Sequence, residues 1–222
     1  MLSTYLFLVS LSTTAIAGSI TQYSDRTAFT TAVGSVVIEG FGDSARTPIS
    51  TGVLNSATNL PGIGITPGFI QPGATYSAPV DDATCSCFNI DSGLGFIGGF
   101  LDTYRLGINP RPITITFDGP VRAFAFDTST LGSGTKNVVI NFSSGSPFAA
   151  DLAIVGHTFF GFESSAQDIL SVIVQFNPAT FYGAGLDNFT YTEVGDPPNV
   201  PEPATFTLAG LAIAFAALRR RQ

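Results

Sequence analysis

Apolar and polar residues alternate along short runs through the middle of this 222-residue chain, and turn-forming residues separate the runs. Ile113, Ile115 and Phe117 alternate with two threonines. This period of two places the apolar side chains on one face of a β-strand. Similar runs predict strands at residues 36–41, 96–101, 136–142, 149–155, 158–162, 170–176 and 186–192. The spacing predicts an all-β fold, an antiparallel β-sandwich of the jelly-roll type.

Three further segments complete the predicted domain. Residues 118–120, Asp-Gly-Pro, lie between the strand at 113–117 and a second alternating run at 121–126, so these runs are predicted to form an antiparallel hairpin. One short N-terminal helix is predicted at residues 25–34, because Asp is a favoured N-cap and Gly a favoured helix end. Residues 43–95, rich in turn-forming residues, are predicted to form long loops, with room for short strands.

The N-terminus is predicted to be a signal peptide, residues 1–17. An apolar run fills residues 5–11, and Ala15 and Ala17 form the small-residue site that signal peptidase cleaves. The mature chain would then begin at Gly18, and the β-sandwich ectodomain would span residues 18–193. The alternative is that the apolar run is a buried strand or helix of the domain.

The C-terminal end, residues 201–222, carries three features in a fixed order after a Pro-rich spacer at residues 194–200. These are Pro201, Glu202 and Pro203, then the uncharged run 204–218, then Arg219, Arg220 and Arg221. A membrane-spanning helix usually needs about 20 apolar residues, and arginine stems can extend a shorter run. We expect a C-terminal hydrophobic helix with its arginines on the cytoplasmic side and the domain facing outward.

This ordered triple, paired with a signal peptide, resembles the PEP-CTERM sorting signal of bacterial exported proteins. The resemblance implies recognition by exosortase, a membrane-embedded cysteine protease/transpeptidase, and processing near residues 201–203. It also implies a transient inner-membrane anchor and later release to the cell surface or the exterior. The host would be a Gram-negative-type bacterium that makes extracellular polysaccharide, and this polysaccharide is a candidate partner. The alternative is an ordinary membrane anchor that is never cut.

The middle of the chain also resembles the β-sandwich ectodomains that are often attached to such tails. The resemblance lies in residues 25–34, 115–118 with 123–126, 159–162 and 185–189. That group is defined by architecture, so the resemblance implies a fold and no particular activity.

The domain is acidic. Residues 18–203 contain six basic residues and all sixteen acidic residues of the chain, a net charge of −10. Nucleic acid is excluded as a partner, because phosphate binding needs clustered lysine and arginine. The negative charge is consistent with solubility or with attraction of cations.

One metal site is predicted from two acidic residues. Glu39 lies late in the first long strand and Asp187 begins the last one. They look like the acidic pair that shares a structural Ca²⁺ in jelly-roll carbohydrate-binding modules, and a hard cation needs several oxygen ligands at once. Asn188 or nearby carbonyls could complete the shell. The alternative is two solvated or capping carboxylates.

The remaining candidate residues carry less chemistry. Cys85 and Cys87 are the two cysteines, and export permits a local disulfide between them. His157, the single histidine, is expected to be structural. Gly93–Gly98 spells G-x-G-x-x-G outside any β-α-β context, so it indicates no nucleotide site.

No catalytic residue is assigned, because no triad motif or carboxylate spacing typical of a hydrolase occurs. We therefore expect an exported, non-enzymatic cell-surface or extracellular-matrix protein. The alternatives are a Ca²⁺-dependent, lectin-like glycan-binding module and a secreted hydrolase.

Overall fold

The computed structural model describes residues 19–42, 45–80, 87–92, 99–103, 111–166, 168–176 and 185–193. In these ranges the chain forms twelve β-strands, one α-helix and a short 3-10 turn at Pro61–Ile63. The helix α1 spans Arg26–Val33. The strands are β1 (Ile20–Tyr23), β2 (Val37–Glu39), β3 (Arg46–Ile49), β4 (Val53–Leu54), β5 (Ala74–Ser77), β6 (Phe88–Ser92), β7 (Gly99–Asp102), β8 (Ile113–Val121), β9 (Ala123–Phe142), β10 (Phe148–Ser164), β11 (Ile169–Phe176) and β12 (Leu186–Tyr191).

These strands form one continuous antiparallel sheet that curls into a half-barrel. Its order is β3-β6-β7-β12-β9-β11-β8-β5-β4, with β2 also paired to β12, and β10 joining β1 to β9. The long strand β9 belongs to both halves, because residues 124–128 pair with β12 and residues 136–142 pair with β11. Strand β10 follows β9 through a register shift between Val155 and His157. The β9–β10 hairpin therefore connects the two halves of the sheet.

Both halves of the sheet bury side chains in one core. Phe124 and Phe189 come from one half and Ile115 and Val172 from the other, and all four belong to the same buried cluster. The Phe124 and Phe189 rings stack with their centroids 6.1 Å apart. Burial of such a side chain contributes roughly 1.5–3 kcal/mol to stability. The predicted all-β antiparallel fold is confirmed, and β9 and β10 join the two halves of its sheet.

The predicted N-terminal helix is also confirmed, and its caps are those expected. The Asp25 carboxylate accepts a hydrogen bond of 2.7 Å from the Ala28 amide, and Gly34 ends the helix with a φ of 77°. Phe29 lies on the apolar face of α1 and is fully buried. A Cβ at Gly161 of β10 would lie 2.7 Å from the Phe29 ring, so the glycine permits this close packing.

The predicted hairpin at 113–126 is wrong. Strand β8 continues through Asp118, Gly119 and Pro120 and pairs with β5 and β11, while β9 pairs with β10, β11 and β12. The Asp-Gly-Pro segment lies in an irregular stretch of β8, where the register with β11 shifts. The short strands allowed for within 43–95 are present as β3, β4, β5 and β6.

The predictions for the two ends fall outside the described residues. These are the signal peptide (1–17), the spacer (194–200) and the sorting tail (201–222) with its hydrophobic helix. Neither helical segment in the described part of the chain has the length and apolarity needed to cross a membrane.

Candidate functional site

The two acidic residues predicted to share a metal lie on paired strands. Glu39 ends β2 and stands opposite Phe189 of β12, two residues from Asp187. Both carboxylates are buried, with 3% of Glu39 and 1% of Asp187 exposed. The negative charge of Glu39 is among the effects that raise the pKa of Asp187. The structure therefore brings this pair into one buried region.

The Glu39 carboxylate fastens two chain segments together. It accepts hydrogen bonds from the Phe41 amide at 2.8 Å and from the Gln71 amide at 2.6 Å. Phe41 has a φ of 51°, an uncommon conformation for a residue other than glycine. Burial raises the pKa of Glu39, and the two amide hydrogen bonds oppose that rise. Glu39 thus holds the chain before β5 against the end of β2.

The Asp187 carboxylate holds the start of β12. It accepts hydrogen bonds from the Asn188 amide at 2.6 Å and from the Asn188 side chain at 3.1 Å. Asn188 has a φ of 46°, which asparagine tolerates better than most residues. Burial raises the pKa of Asp187 to about 6, and the charges of Asp127 and Glu39 raise it further. The hydrogen bond from the Asn188 amide and the charge of Arg26 act in the opposite direction.

A third carboxylate, which the sequence analysis did not single out, joins this region. Asp127 of β9 stands opposite Asp187 and accepts hydrogen bonds from Arg26 at 2.8 Å and Asn188 at 2.9 Å. Arg26 also donates to the Thr190 hydroxyl at 3.1 Å. No local pattern could reveal this cluster, because its members are far apart in the chain. We call Glu39, Asp127 and Asp187 the carboxylate cluster.

Arg26 supplies positive charge to part of the carboxylate cluster. It pairs with Asp127 at 2.8 Å and its charge also acts on Asp187, while its guanidinium carbon lies 4.7 Å from the centre of the Phe159 ring. Among the described residues, no group of three or more His, Cys, Asp or Glu side chains is arranged to hold a metal ion. The described side chains of the cluster therefore do not by themselves form a complete set of metal ligands.

One buried hydroxyl near the cluster has no hydrogen-bond partner. The Tyr76 side chain is 1% exposed, and its Oη is unpaired among the described residues. Burial raises the pKa of Tyr76, and the Glu39 charge raises it further. The neighbouring Tyr191 hydroxyl, by contrast, donates to the Pro72 carbonyl at 2.6 Å. A buried hydroxyl without a partner is uncommon in proteins, because most buried polar groups are hydrogen-bonded.

The other singled-out residues lie elsewhere. Cys87 is fully buried and disulfide-bonded, and Cys85 lies outside the described residues, so their pairing stays a prediction. His157 is exposed on β10, next to the register shift. Gly93–Gly98, Ala15, Ala17 and the residues of the sorting motif also lie outside the described residues.

Comparison with known proteins identifies the tail of the chain. Among solved structures, the chain is similar to "CBM29_1, A Family 29 Carbohydrate Binding Module from Piromyces equi", with 20% identity and a TM-score of 0.32, over 55% of this chain and 93% of that one. None of the curated protein sequences matches it. Residues 199–221 match the family model of the PEP-CTERM protein-sorting motif. The chain therefore carries a PEP-CTERM protein-sorting motif at residues 199–221, the signal of an exported protein that exosortase processes.

Proposed function

We propose that this chain is a non-enzymatic cell-surface or extracellular-matrix protein whose acidic β domain is delivered outward by exosortase. The observation that carries the proposal is the sorting motif at residues 199–221. The domain ends just before it, since β12 finishes at Tyr191. The β domain is thus the part of the chain that remains after the tail is removed.

The buried acids of the domain support a structural role for it. Glu39 accepts hydrogen bonds from two chain segments, Asp187 holds the start of β12, and Asp127 anchors the helix through Arg26. A general acid or base must come within hydrogen-bond reach of a substrate. These carboxylates are instead occupied by hydrogen bonds to backbone amides and side chains of the domain itself.

The test is the intact mass of the protein from each fraction of the native cells. We expect a form lacking residues 1–17 and the tail beyond about Pro203, found outside the inner membrane. A matched variant with Arg219, Arg220 and Arg221 replaced by alanine should remain unprocessed, since it lacks the basic end of the signal. Recovery of the wild-type chain in the membrane with its arginines intact would contradict exosortase processing.

A Ca²⁺-dependent, lectin-like glycan-binding module is the second candidate, and the charge of the carboxylate cluster favours its metal. The cluster contains three carboxylates, of which Asp127 is paired with Arg26, and the unpaired Tyr76 hydroxyl lies in the field of Glu39. Glu39 and Asp187 would hold the ion, with Asn188 or backbone carbonyls completing a shell of six to eight oxygens. Bound Ca²⁺ would neutralise the buried charge and hold β2 to β12.

Calcium is tested by the melting temperature of the mature protein with EDTA and with added Ca²⁺. We expect Ca²⁺ to raise the melting temperature of the wild type and to have little effect on Glu39→Gln or Asp187→Asn. Asp151→Asn, at an exposed carboxylate of β10, is the matched control and should respond like the wild type. An unchanged melting temperature in the wild type would remove the metal. A glycan array that is positive only with Ca²⁺ would support the lectin alternative, and a silent array would count against it.

A further inference from the structure

The only lysine of the chain is buried inside the domain. Lys136 lies on β9 with none of its surface exposed. Lysine is rarely fully buried, because desolvation of an ammonium group costs several kcal/mol. Burial accordingly lowers the pKa of Lys136 well below its usual value, and the Asp102 charge opposes that shift. A lowered pKa favours the neutral, nucleophilic amine over the ammonium form.

Two oxygen acceptors orient the amine. Lys136 Nζ donates to the hydroxyl of Thr128 and, at 3.3 Å, to the carbonyl of Gly185. The Thr128 hydroxyl donates in turn to the same Gly185 carbonyl at 2.9 Å, so its oxygen is an acceptor for the amine. These two contacts hold the amine between β9 and the start of β12.

A buried carboxyl group lies in the same place. Leu101 of β7 and Thr128 of β9 both stand opposite Leu186 of β12. Asp102 follows Leu101 and Gly185 precedes Leu186, and in an antiparallel pair these two positions lie on the same side of the Leu101–Leu186 pair, which places Asp102 near the carbonyl that binds Lys136. Asp102 is 5% exposed and is the charged group that acts on Lys136. The nucleophile and the carboxyl group thus occupy one buried locus.

A side-chain amide lies beside the carboxyl group. Asn89 of β6 stands opposite Asp102, and its Nδ2 donates to Asp102 Oδ1 at 3.3 Å. A donor at this oxygen stabilises the negative charge that develops when the adjacent carbon is attacked. Asn89 is therefore a positioning residue for a reaction at Asp102.

We propose that Lys136 and Asp102 form an intramolecular isopeptide bond that links β9 to β7. Lys136 Nζ attacks Asp102 Cγ and forms the C–N bond, and the C–O bond to the carboxyl hydroxyl breaks. The amine loses one proton, which leaves with that hydroxyl as water, so the net change is the loss of one water molecule. The step needs no oxidant or cofactor. It is favoured because the two groups are held together and because the amide replaces two ionisable groups in a buried place.

The sequence supplies a direct test, because a lysine-specific endoproteinase has one site in the chain, Lys136. The full-length wild-type protein is purified, denatured, reduced and digested. We expect it to remain uncut, because an acylated lysine is not recognised. Its mass should be lower than the sequence mass of the reduced chain by one water, and a second protease should release a branched peptide joining Lys136 to Asp102.

Asp102→Ala is the matched variant, and it should be cut completely at Lys136 and show the unmodified sequence mass. If that variant does not fold, the mass and digestion of the wild type still decide the question. Complete cleavage of folded wild-type protein with an unshifted mass would overturn the proposal and leave a noncovalent contact. A resistant chain that has lost ammonia instead of water would place the bond on Asn89 and overturn the assignment to Asp102.

Discussion

The buried carboxyl group of Asp187 should make the stability of the domain depend on pH in an unusual direction. Burial raises its pKa from 3.8 to about 6. The folded protein therefore keeps this proton up to about pH 6, while the unfolded chain releases it near pH 4. Between these values unfolding releases a proton, so the free energy of unfolding falls as the pH rises and levels off above pH 6.

The size of the effect follows from the shift. A change of about two pKa units at about 1.4 kcal/mol each gives a loss of about 2–3 kcal/mol between pH 4 and pH 7. Burial also raises the pKa of Glu39, so that group contributes in the same direction. A comparison with Asp187→Asn isolates the Asp187 part, since the variant keeps the size and the Oδ1 acceptor but has no charge.

The difference in unfolding free energy between Asp187→Asn and the wild type should change sign between pH 4 and pH 7. At pH 4 Asp187→Asn should be less stable by about 1 kcal/mol, because one hydrogen bond from the Asn188 side chain is lost. At pH 7 it should be more stable by about 1–2 kcal/mol, because no charge is buried. Urea unfolding of the mature protein in EDTA, at several pH values, measures both differences.

Two controls accompany this measurement. Asp151→Asn changes an exposed carboxylate and should leave the pH dependence of the wild type unchanged. Added Ca²⁺ should flatten the pH dependence of the wild type if an ion binds Asp187. Parallel curves for the wild type and Asp187→Asn from pH 4 to pH 7 would refute the assignment of the pH effect to Asp187.

Two further substitutions test the packing around the site. Arg26→Ala should lower the free energy of unfolding by about 1–3 kcal/mol in urea, because it leaves Asp127 buried without its cation; a loss below about 0.5 kcal/mol would contradict the importance of this pair. Gly185→Ala should lower the melting temperature by several degrees, because the new Cβ would lie 2.0 Å from the Phe100 ring. Gly40→Ala is the control and should have a smaller effect, because no atom lies within 4 Å of its new Cβ.

The parts of the fold that depend on local chemistry could be predicted from the sequence. The helix α1 follows from Asp25 and Gly34, because capping involves only residues within one turn. The alternating runs likewise predicted most strands. The error at β8 arose because Asp-Gly-Pro is favourable in a tight turn and equally compatible with a bulge. Between Thr116 and Val121, β8 has four residues where β11 has one, so the extra residues form an irregular segment within β8.

The candidate site was only partly predictable, for a different reason. The proximity of Glu39 and Asp187 could be predicted, because the first and last strands of β-sandwiches commonly lie side by side. Asp127 and Arg26 could not, because their contact depends on the register between β9 and β12 and on where the helix docks. The burial of Lys136 could not be predicted either, since it depends on contacts with residues such as Gly185 that are distant in the sequence.

The pairing of β2 with β12 has a consequence for the order of events during export. Contacts between Glu39 and Phe189 close the sheet only when nearly all of the domain has left the translocation channel. Seven residues then separate Tyr191 from the sorting motif, which begins at residue 199. At about 3.3–3.6 Å per residue, this segment spans at most about 30 Å. On the proposed export route, the domain would complete its fold close to the membrane, and exosortase would cut a peptide that a short segment joins to a folded domain.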